Sequence, residues 1–148
     1  MINSEIKLKI KKLHNDAIIP HYVHDGDAGL DLYSVEEVLI FPNERKIIPT
    51  GISMEFPQDY VALIWDKSGL AGNYGLKVMG GVIDCNYRGE YKVILFNTSN
   101  KEYLVKKGEK IAQLLIQPVI RAEIEETSNL SDSIRGEGGF GSTGLKKN

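Results

Sequence analysis

Asp84 and Tyr87 lie in the run GGVIDCNYRGEYKVILFN, Gly80–Asn97, where two apolar arms enclose a polar centre. The arms, Val82–Ile83 and Val93–Phe96, are β-branched or bulky, and the centre ends in Arg88-Gly89. This pattern predicts a strand–turn–strand hairpin with a longer loop. A carboxylate at the mouth of a rigid hairpin is placed to accept a proton from water. An aromatic ring beside it forms the wall of a small flat pocket. The N–H and C=O groups of the arm are available to a planar polar ring. A surface hairpin with a turn-capping Asp84 and a half-buried Tyr87 is the plainer reading, and this stretch alone leaves both open.

Two further stretches carry groups suited to an anion. Lys67, the Ser68 hydroxyl and the Gly69 backbone N–H follow one another where a strand closes and a helical turn can open. A cation followed by small donors at the start of an element suits a phosphate, and a polar turn with a Ser68 cap is the alternative. Near the end, RGEGGFGSTG at Arg135–Gly144 holds five glycines in ten residues. Such a segment cannot order itself, because glycine loses the most backbone entropy on folding. A plain tail would not need Arg135, Phe140, Ser142 and Thr143. A guanidinium, an aromatic ring, two hydroxyls and many free N–H groups form a clamp for a phosphate and a ring. The segment is therefore expected to be a lid that orders over ligand.

The elements that must position these groups are short strands. Ile6–Leu13 alternates apolar and basic residues, which predicts a half-buried strand with a wet face. Ala28–Ser34 places Leu30 and Leu32 toward a core, so period-two alternation points Asp31 away from it. Val38–Pro42, Ile47–Ile52, Ser53–Pro57, Tyr60–Trp65, Tyr103–Val105 and Ile111–Ile116 read as further strands. Turn signals about every eight to twelve residues predict a sandwich, jelly roll or barrel, and no helix of ordinary length. Gln113 is an amide in an apolar strand, which needs a partner if buried or a place on a wet face. The expected organisation is one domain, with residues 1–120 as a β-barrel catalytic body and 121–148 as the Gly-rich arm.

Composition excludes several classes. The chain has 148 residues, 42% hydrophobic and 26% charged, with a net charge of −2. It is long enough for a real core and too acidic for a general nucleic-acid binder, so direct nucleic-acid binding is not expected. No apolar run approaches about 18 residues, so no membrane span is expected. Cys85 is the single cysteine and forbids an internal disulfide. Together with the lack of a signal-peptide core, this points to a reducing, cytoplasmic setting, or the host-cell interior for a viral protein. Cys85 has no basic partner in the sequence nearby and reads as a half-buried strand residue. His21, His24, Asp25 and Asp27 match no zinc spacing and read as a loop.

Five segments in order resemble the trimeric deoxyuridine triphosphatases. They are AGLDLYS (Ala28–Ser34), KSGLAG (Lys67–Gly72), GGVIDCNYRGEY (Gly80–Tyr91), KGEKIAQLL (Lys107–Leu115) and RGEGGFGSTG (Arg135–Gly144). The resemblance covers nearly the whole chain. It implies an all-β, distorted jelly-roll or barrel fold of the β-clip type. It also implies hydrolysis of dUTP to dUMP and pyrophosphate with Mg²⁺, which keeps uracil out of DNA and supplies dUMP for thymidylate synthesis. By resemblance, Asp84 is the general base that activates water against the α-phosphorus, and Tyr87 lies under the deoxyribose. Gly81, Val82 and Ile83 match the arm whose backbone reads uracil, with Lys92 adding a backbone contact. Lys67, Ser68 and Gly69 match phosphate contacts. Asp31 and Gln113 match residues that organise waters around Mg²⁺ and the phosphates, Gln113 being a substrate-binding residue as well, with no direct protein ligand to the metal. Arg135, Phe140, Gly141, Ser142 and Thr143 match the closing arm. The same resemblance implies a homotrimer whose sites draw segments from all three subunits.

Three departures stand out. Lys67 replaces the family's usual arginine, so a point donor stands where a planar fork would be. Trp65-Asp66 precedes it where the family often has proline, which leaves Asp66 either to pair with Lys67 or to face away. Cys85 and Asn86 replace commonly acidic or small residues, without evident consequence for the chemistry. The nearest alternative is a deoxycytidine triphosphate deaminase of the same fold, including a bifunctional form. Deamination needs a carboxylate near the exocyclic amine, and the pocket position holds Tyr87. An interaction or signalling protein that reuses the fold is a second alternative, and a β-sandwich binding module without chemistry a third.

Overall fold

Strand β11 (Lys110–Pro118) is the spine of the chain, because both of its edges are paired. The computed structural model describes residues 5–146. Residues 1–4 of the expected barrel and 147–148 of the expected arm lie outside the described residues. On one side β11 runs antiparallel to β2 (Leu30–Tyr33), with Gln113 opposite Asp31. On the other it pairs with β6 (Tyr60–Trp65), placing Gln113 opposite Trp65. Strand β8 (Val82–Ile83) adds to the far edge of β6 and ends the sheet. A second antiparallel sheet has β9 (Lys92–Asn97) between β4 (Arg45–Pro49) and β7 (Leu76–Met79). Two shorter pairs complete the body: β1 (Lys9–Lys12) with β5 (Ile52–Glu55), and β3 (Val38–Ile40) with β10 (Tyr103–Val105). The only helix among the described residues, α1 (Ser68–Tyr74), has seven residues. The architecture is all-β and jelly-roll-like, with its ladders divided among four sheets rather than closed into one barrel.

The alternation in the sequence explains which faces are buried. In β9, Val93 and Leu95 are buried while Lys92 is exposed. Leu32, Ile40, Ile48, Leu95, Ile111 and Leu114 are almost fully buried and join one core. The basic residues of β1 face water while Leu8 and Ile10 pack against that core, as the alternation requires. The strand itself is shorter than Ile6–Leu13.

The stretch Gly80–Asn97 is not a single hairpin. β8 pairs with β6, whereas β9 pairs with β4 and β7, so the two arms enter different sheets. The cause is local. Gly80 and Gly81 have φ of 67° and 102°, a region that excludes most side chains. They turn the chain out of β7 and toward β6, where Gly81 C=O accepts from Ile64 N at 2.8 Å. A Cβ on Gly81 would stand 2.7 Å from Ile64 O, so the approach needs glycine.

The far end of the loop is pinned to the corner between β4 and β5. Tyr91 N donates to Ile52 O at 2.9 Å, and Thr50 Oγ1 donates to Tyr91 O at 2.5 Å. Gly51 N donates to Glu90 Oε1 at 2.9 Å. Residues 84–90 therefore span two sheets that are each tied into the core. Leu32→Ala should lower the unfolding free energy by about 2–5 kcal/mol, since it empties a fully enclosed site. Urea unfolding followed by circular dichroism checks this, and a loss below about 1 kcal/mol would contradict that packing.

Candidate active site

The loop between β8 and β9 encloses an open cavity of about 240 Å³ lined by Val82, Ile83, Asp84, Tyr87, Tyr91 and Lys92, with Glu90. Asp84 is exposed at its rim. A tight turn fixes it, with Tyr87 N donating to Asp84 O at 3.1 Å. Tyr87 is held by its hydroxyl, which donates to Glu90 O at 3.0 Å, and its ring lies 6.1 Å from that of Tyr91. Arg88 stitches the turn by donating to Cys85 O at 2.7 Å and Tyr87 O at 3.1 Å. The neighbouring cations pair elsewhere, Arg88 with Glu55 at 3.9 Å and Lys92 with Glu90 at 3.8 Å. Cys85 lies in this turn rather than in a strand, and it packs half-buried against the core. Val82 is 73% exposed on the free edge of the sheet, so the β8 backbone is accessible beside the cavity.

A second cavity, about 310 Å³, opens between β2, β11 and the start of α1. Asp31, Lys67, Lys110 and Gln113 form its charged and polar wall, with His24 and Asp27 at its edge. Asp31 does face away from the core, but it is only 6% exposed, contrary to a plain wet strand face. It is covered because both of its oxygens are engaged: Oδ1 by Lys67 Nζ, and Oδ2 by Lys110 Nζ at 2.8 Å. Burial pushes the Asp31 carboxyl up, but the Lys110 and Lys67 ammoniums outweigh it and hold it below the usual carboxylate range. The same contact raises Lys110 above the usual ammonium range.

Gln113 donates from Nε2 to Asp66 O at 2.8 Å, which satisfies its half-buried amide. A Cβ at Gly29 would lie 2.6 Å from Gln113 Oε1, so a side chain there would push the amide aside. Asp66 turns from the cavity, accepting from Val78 N at 2.5 Å and Lys77 Nζ at 2.6 Å. It therefore ties the start of α1 to β7 and leaves Lys67 to Asp31. Lys67 is the N-cap of α1, with no side-chain capping bond, so Ser68 is not a cap. Ser68 and Gly69 are exposed at the helix start.

The two cavities share no lining residue. The Gly-rich segment joins neither of them in this chain. Arg135 Nε donates to Gly138 O at 2.6 Å within the segment itself. Phe140 and residues 141–143 are exposed, and Phe140 has φ 46°. One chain thus carries three separate pieces: a carboxylate beside a ring-walled slot, a lysine-bearing cavity, and an undocked arm.

Glu90, Tyr91, His24, Asp27 and Lys110 were not among the site residues that sequence reasoning selected. Glu90 and Lys110 each had a signal in their place within the RGEY and KGEKIAQLL runs, but the face that Lys110 takes is set by the irregular pairing of β11 with β2.

The dUTPase family model matches residues 15–144. The chain belongs to the dUTPase family. It is 52% identical over 140 residues to the deoxyuridine 5'-triphosphate nucleotidohydrolase of Clostridioides difficile, covering 93% of this chain and 98% of that one. The enzyme of the same name from Nautilia profundicola is 52% identical over 141 residues, covering 94% and 99%. Among solved structures, a Staphylococcus bacteriophage 80alpha dUTPase mutant with dUpNHpp superposes with a TM-score of 0.88 at 30% identity, covering 94% of this chain and 99% of that one. A mutant dUTPase from phage phi11 of S. aureus, described with a coordinated structural Mg(II) ion, gives 0.80 at 25% identity, covering 85% and 99%.

The depressed Asp31 carboxyl has a consequence for this dUTPase fold. The unfolded chain takes up that proton at higher pH than the folded one, so the stability Asp31 confers is present above about pH 4 and is lost as pH falls below it. Asp31→Asn should be less stable than wild type at pH 7, and the gap should narrow toward pH 3. Melting midpoints across that range check it, and a gap independent of pH would refute it.

Proposed function

We propose that the chain hydrolyses dUTP to dUMP and pyrophosphate, with Asp84 as the base. The observation that carries this reading is the exposed Asp84 carboxylate, fixed by a tight turn at the rim of a slot walled by Tyr87 and the free edge of β8. An edge strand offers unpaired N–H and C=O groups, and uracil presents a complementary row of polar atoms. Gly81, Val82 and Ile83 supply that edge, the Tyr87 ring closes the slot below the sugar, and Lys92 opens β9 beside it. Asp84 takes a proton from water as the oxygen attacks the α-phosphorus. The bond to the bridging oxygen breaks, and pyrophosphate departs. Lys67, with the Ser68 hydroxyl and Gly69 N–H, meets the phosphates, and charge neutralisation with positioning carries most of the rate.

Magnesium fits this arrangement only as an ion that the nucleotide brings. Among the described residues there is no cluster of three His, Cys, Asp or Glu able to hold a metal, and both Asp31 oxygens are occupied by lysines. Asp31 and Gln113 can hold the ion's waters, as suits a hard cation that keeps its hydration and binds through phosphates. When bound, it supplies positive charge to the phosphate chain.

A homotrimer accounts for the three separate pieces, since one copy can present its slot to a neighbour's lysine cavity. The outer face of the second sheet supports this. Ile47, Ile94 and Met79 lie in register across β4, β9 and β7, with Ile47 62% and Met79 42% exposed. Residues 121–148 act as the lid: Phe140 stacks on the base, and Arg135, Gly141, Ser142 and Thr143 meet the terminal phosphate. A cytoplasmic setting fits the lone Cys85 thiol, and no helix among the described residues is long and apolar enough to cross a membrane. The deaminase reading is weaker because Glu90, the other carboxylate of the slot, is engaged by Gly51 N and Lys92.

Asp84→Asn should retain nucleotide binding while turnover falls by about a hundredfold or more, the loss expected for a positioned base. Pyrophosphate release from dUTP checks this. Near-native turnover would remove Asp84 from the role, and ammonia release from dCTP would favour the deaminase. Deleting the residues after Ser133 should abolish most turnover and leave the melting midpoint almost unchanged, because that segment buries almost nothing. A collapse in stability on deletion would contradict the lid.

A further inference from the structure

The turn that carries Asp84 has a second cleft of its own. It is an open cleft of about 350 Å³, lined by Phe56, Gln58, Cys85, Asn86, Arg88 and Arg121. It shares no lining residue with the slot or with the lysine cavity. The loop residues divide between its two sides: Asp84, Tyr87 and Glu90 line the slot, whereas Cys85, Asn86 and Arg88 line the cleft.

The wall of this cleft carries charge of one sign. Arg88 and Arg121 bring guanidiniums, Gln58 and Asn86 bring amides, and no carboxylate stands in the lining. The lysine cavity, by contrast, sets Asp27 and Asp31 against its two ammoniums. Arg88 uses one nitrogen, Nη1, on Cys85 O and Tyr87 O. Its Nε stands 3.9 Å from Glu55 Oε2, past hydrogen-bond reach, and Lys9 takes the other oxygen of Glu55 at 2.6 Å. Arg121 pairs with no carboxylate among the described residues. Its Nη2 lies 3.9 Å from Cys85 Sγ. Both guanidiniums therefore reach Cys85, one at its carbonyl and one at its sulfur. Two cations held beside one residue repel each other, and a shared anion removes that repulsion. Guanidinium forks also match the geometry of phosphate oxygens.

We propose that this cleft binds a small, multiply charged oxyanion of the inorganic phosphate type, gripped by Arg88 and Arg121 with the Gln58 and Asn86 amides at its edge. The site is separate from the lysine cavity and does not depend on the dUTP reading. Because Arg88 also stitches the turn, the anion sits against the back of the loop that presents Asp84.

Cys85 is the single cysteine of the chain, so it serves as a local probe of the cleft. Its alkylation by iodoacetamide, a neutral reagent, is followed by mass spectrometry with increasing inorganic phosphate. Each variant is compared with its own rate without phosphate, since Arg121 touches the sulfur. Phosphate should slow alkylation of the wild type, with half of the effect at about 1 mM, as suits two exposed charge-assisted contacts. Sodium chloride at equal ionic strength should slow it far less. Arg121→Gln should need about tenfold more phosphate for the same protection. Arg121 is exposed and follows the end of β11, so this variant keeps the core intact. Lys67→Gln, which disables the lysine cavity, should be protected as wild type is. Equal protection by chloride, undiminished protection in Arg121→Gln, or loss of protection in Lys67→Gln would overturn the proposal. So would wild-type alkylation that is unchanged at about 10 mM phosphate.

Discussion

A carboxylate withdrawn from water must find cations, and this requirement at Asp31 holds three parts of the chain in place. Lys67 comes from the start of α1, Lys110 from β11, and Asp31 itself from β2. Removing one partner would leave a charge poorly compensated in a mostly covered position, which costs far more than an exposed pair contributes. The neighbouring amide of Gln113 extends the tie to the Asp66 carbonyl, and the Asp66 carboxylate extends it to β7. The lysine cavity is therefore the open end of a polar seam between the two larger sheets.

The slot is built on a different principle. Its walls come from the end of one sheet and the start of the other, so its width is set by how the core holds those sheets. Gly81 allows β8 to reach β6, and Thr50, Gly51 and Ile52 hold the Glu90–Tyr91 end. A loop tied at both ends can keep Asp84 and Tyr87 in a fixed relation while leaving them exposed. Rigidity here comes from hydrogen bonds to the main chain rather than from burial of Asp84 and Tyr87.

Much of this was legible in the sequence. Alternation located most strands, and the residue types around Asp84, Lys67 and Arg135 pointed to water activation and anion binding before any fold was known. The errors have physical causes. The Gly80–Asn97 run looks like a hairpin because each arm is a good strand, and residue type does not say which sheet an arm joins. Alternation gave the direction of Asp31 but not the two lysines that cover it, because it describes where a side chain points and not what packs over it. Lys110 stood within the KGEKIAQLL run but was not placed at the cavity, because period-two alternation puts it on the opposite face from Gln113 and a bulge breaks that rule. Asp66 looked misplaced beside a phosphate lysine until its two partners in β7 were seen.

Under the proposed trimer, in which a slot, a lysine cavity and an arm from different copies meet, damage becomes a collective matter. When a working centre is assembled from several copies, one faulty polypeptide spoils centres that its sound neighbours help to form. A gene carrying such a lesion can then act dominantly over an intact one. Two lesions in different pieces can also cancel, because a mixed assembly contains some centres built wholly from sound pieces.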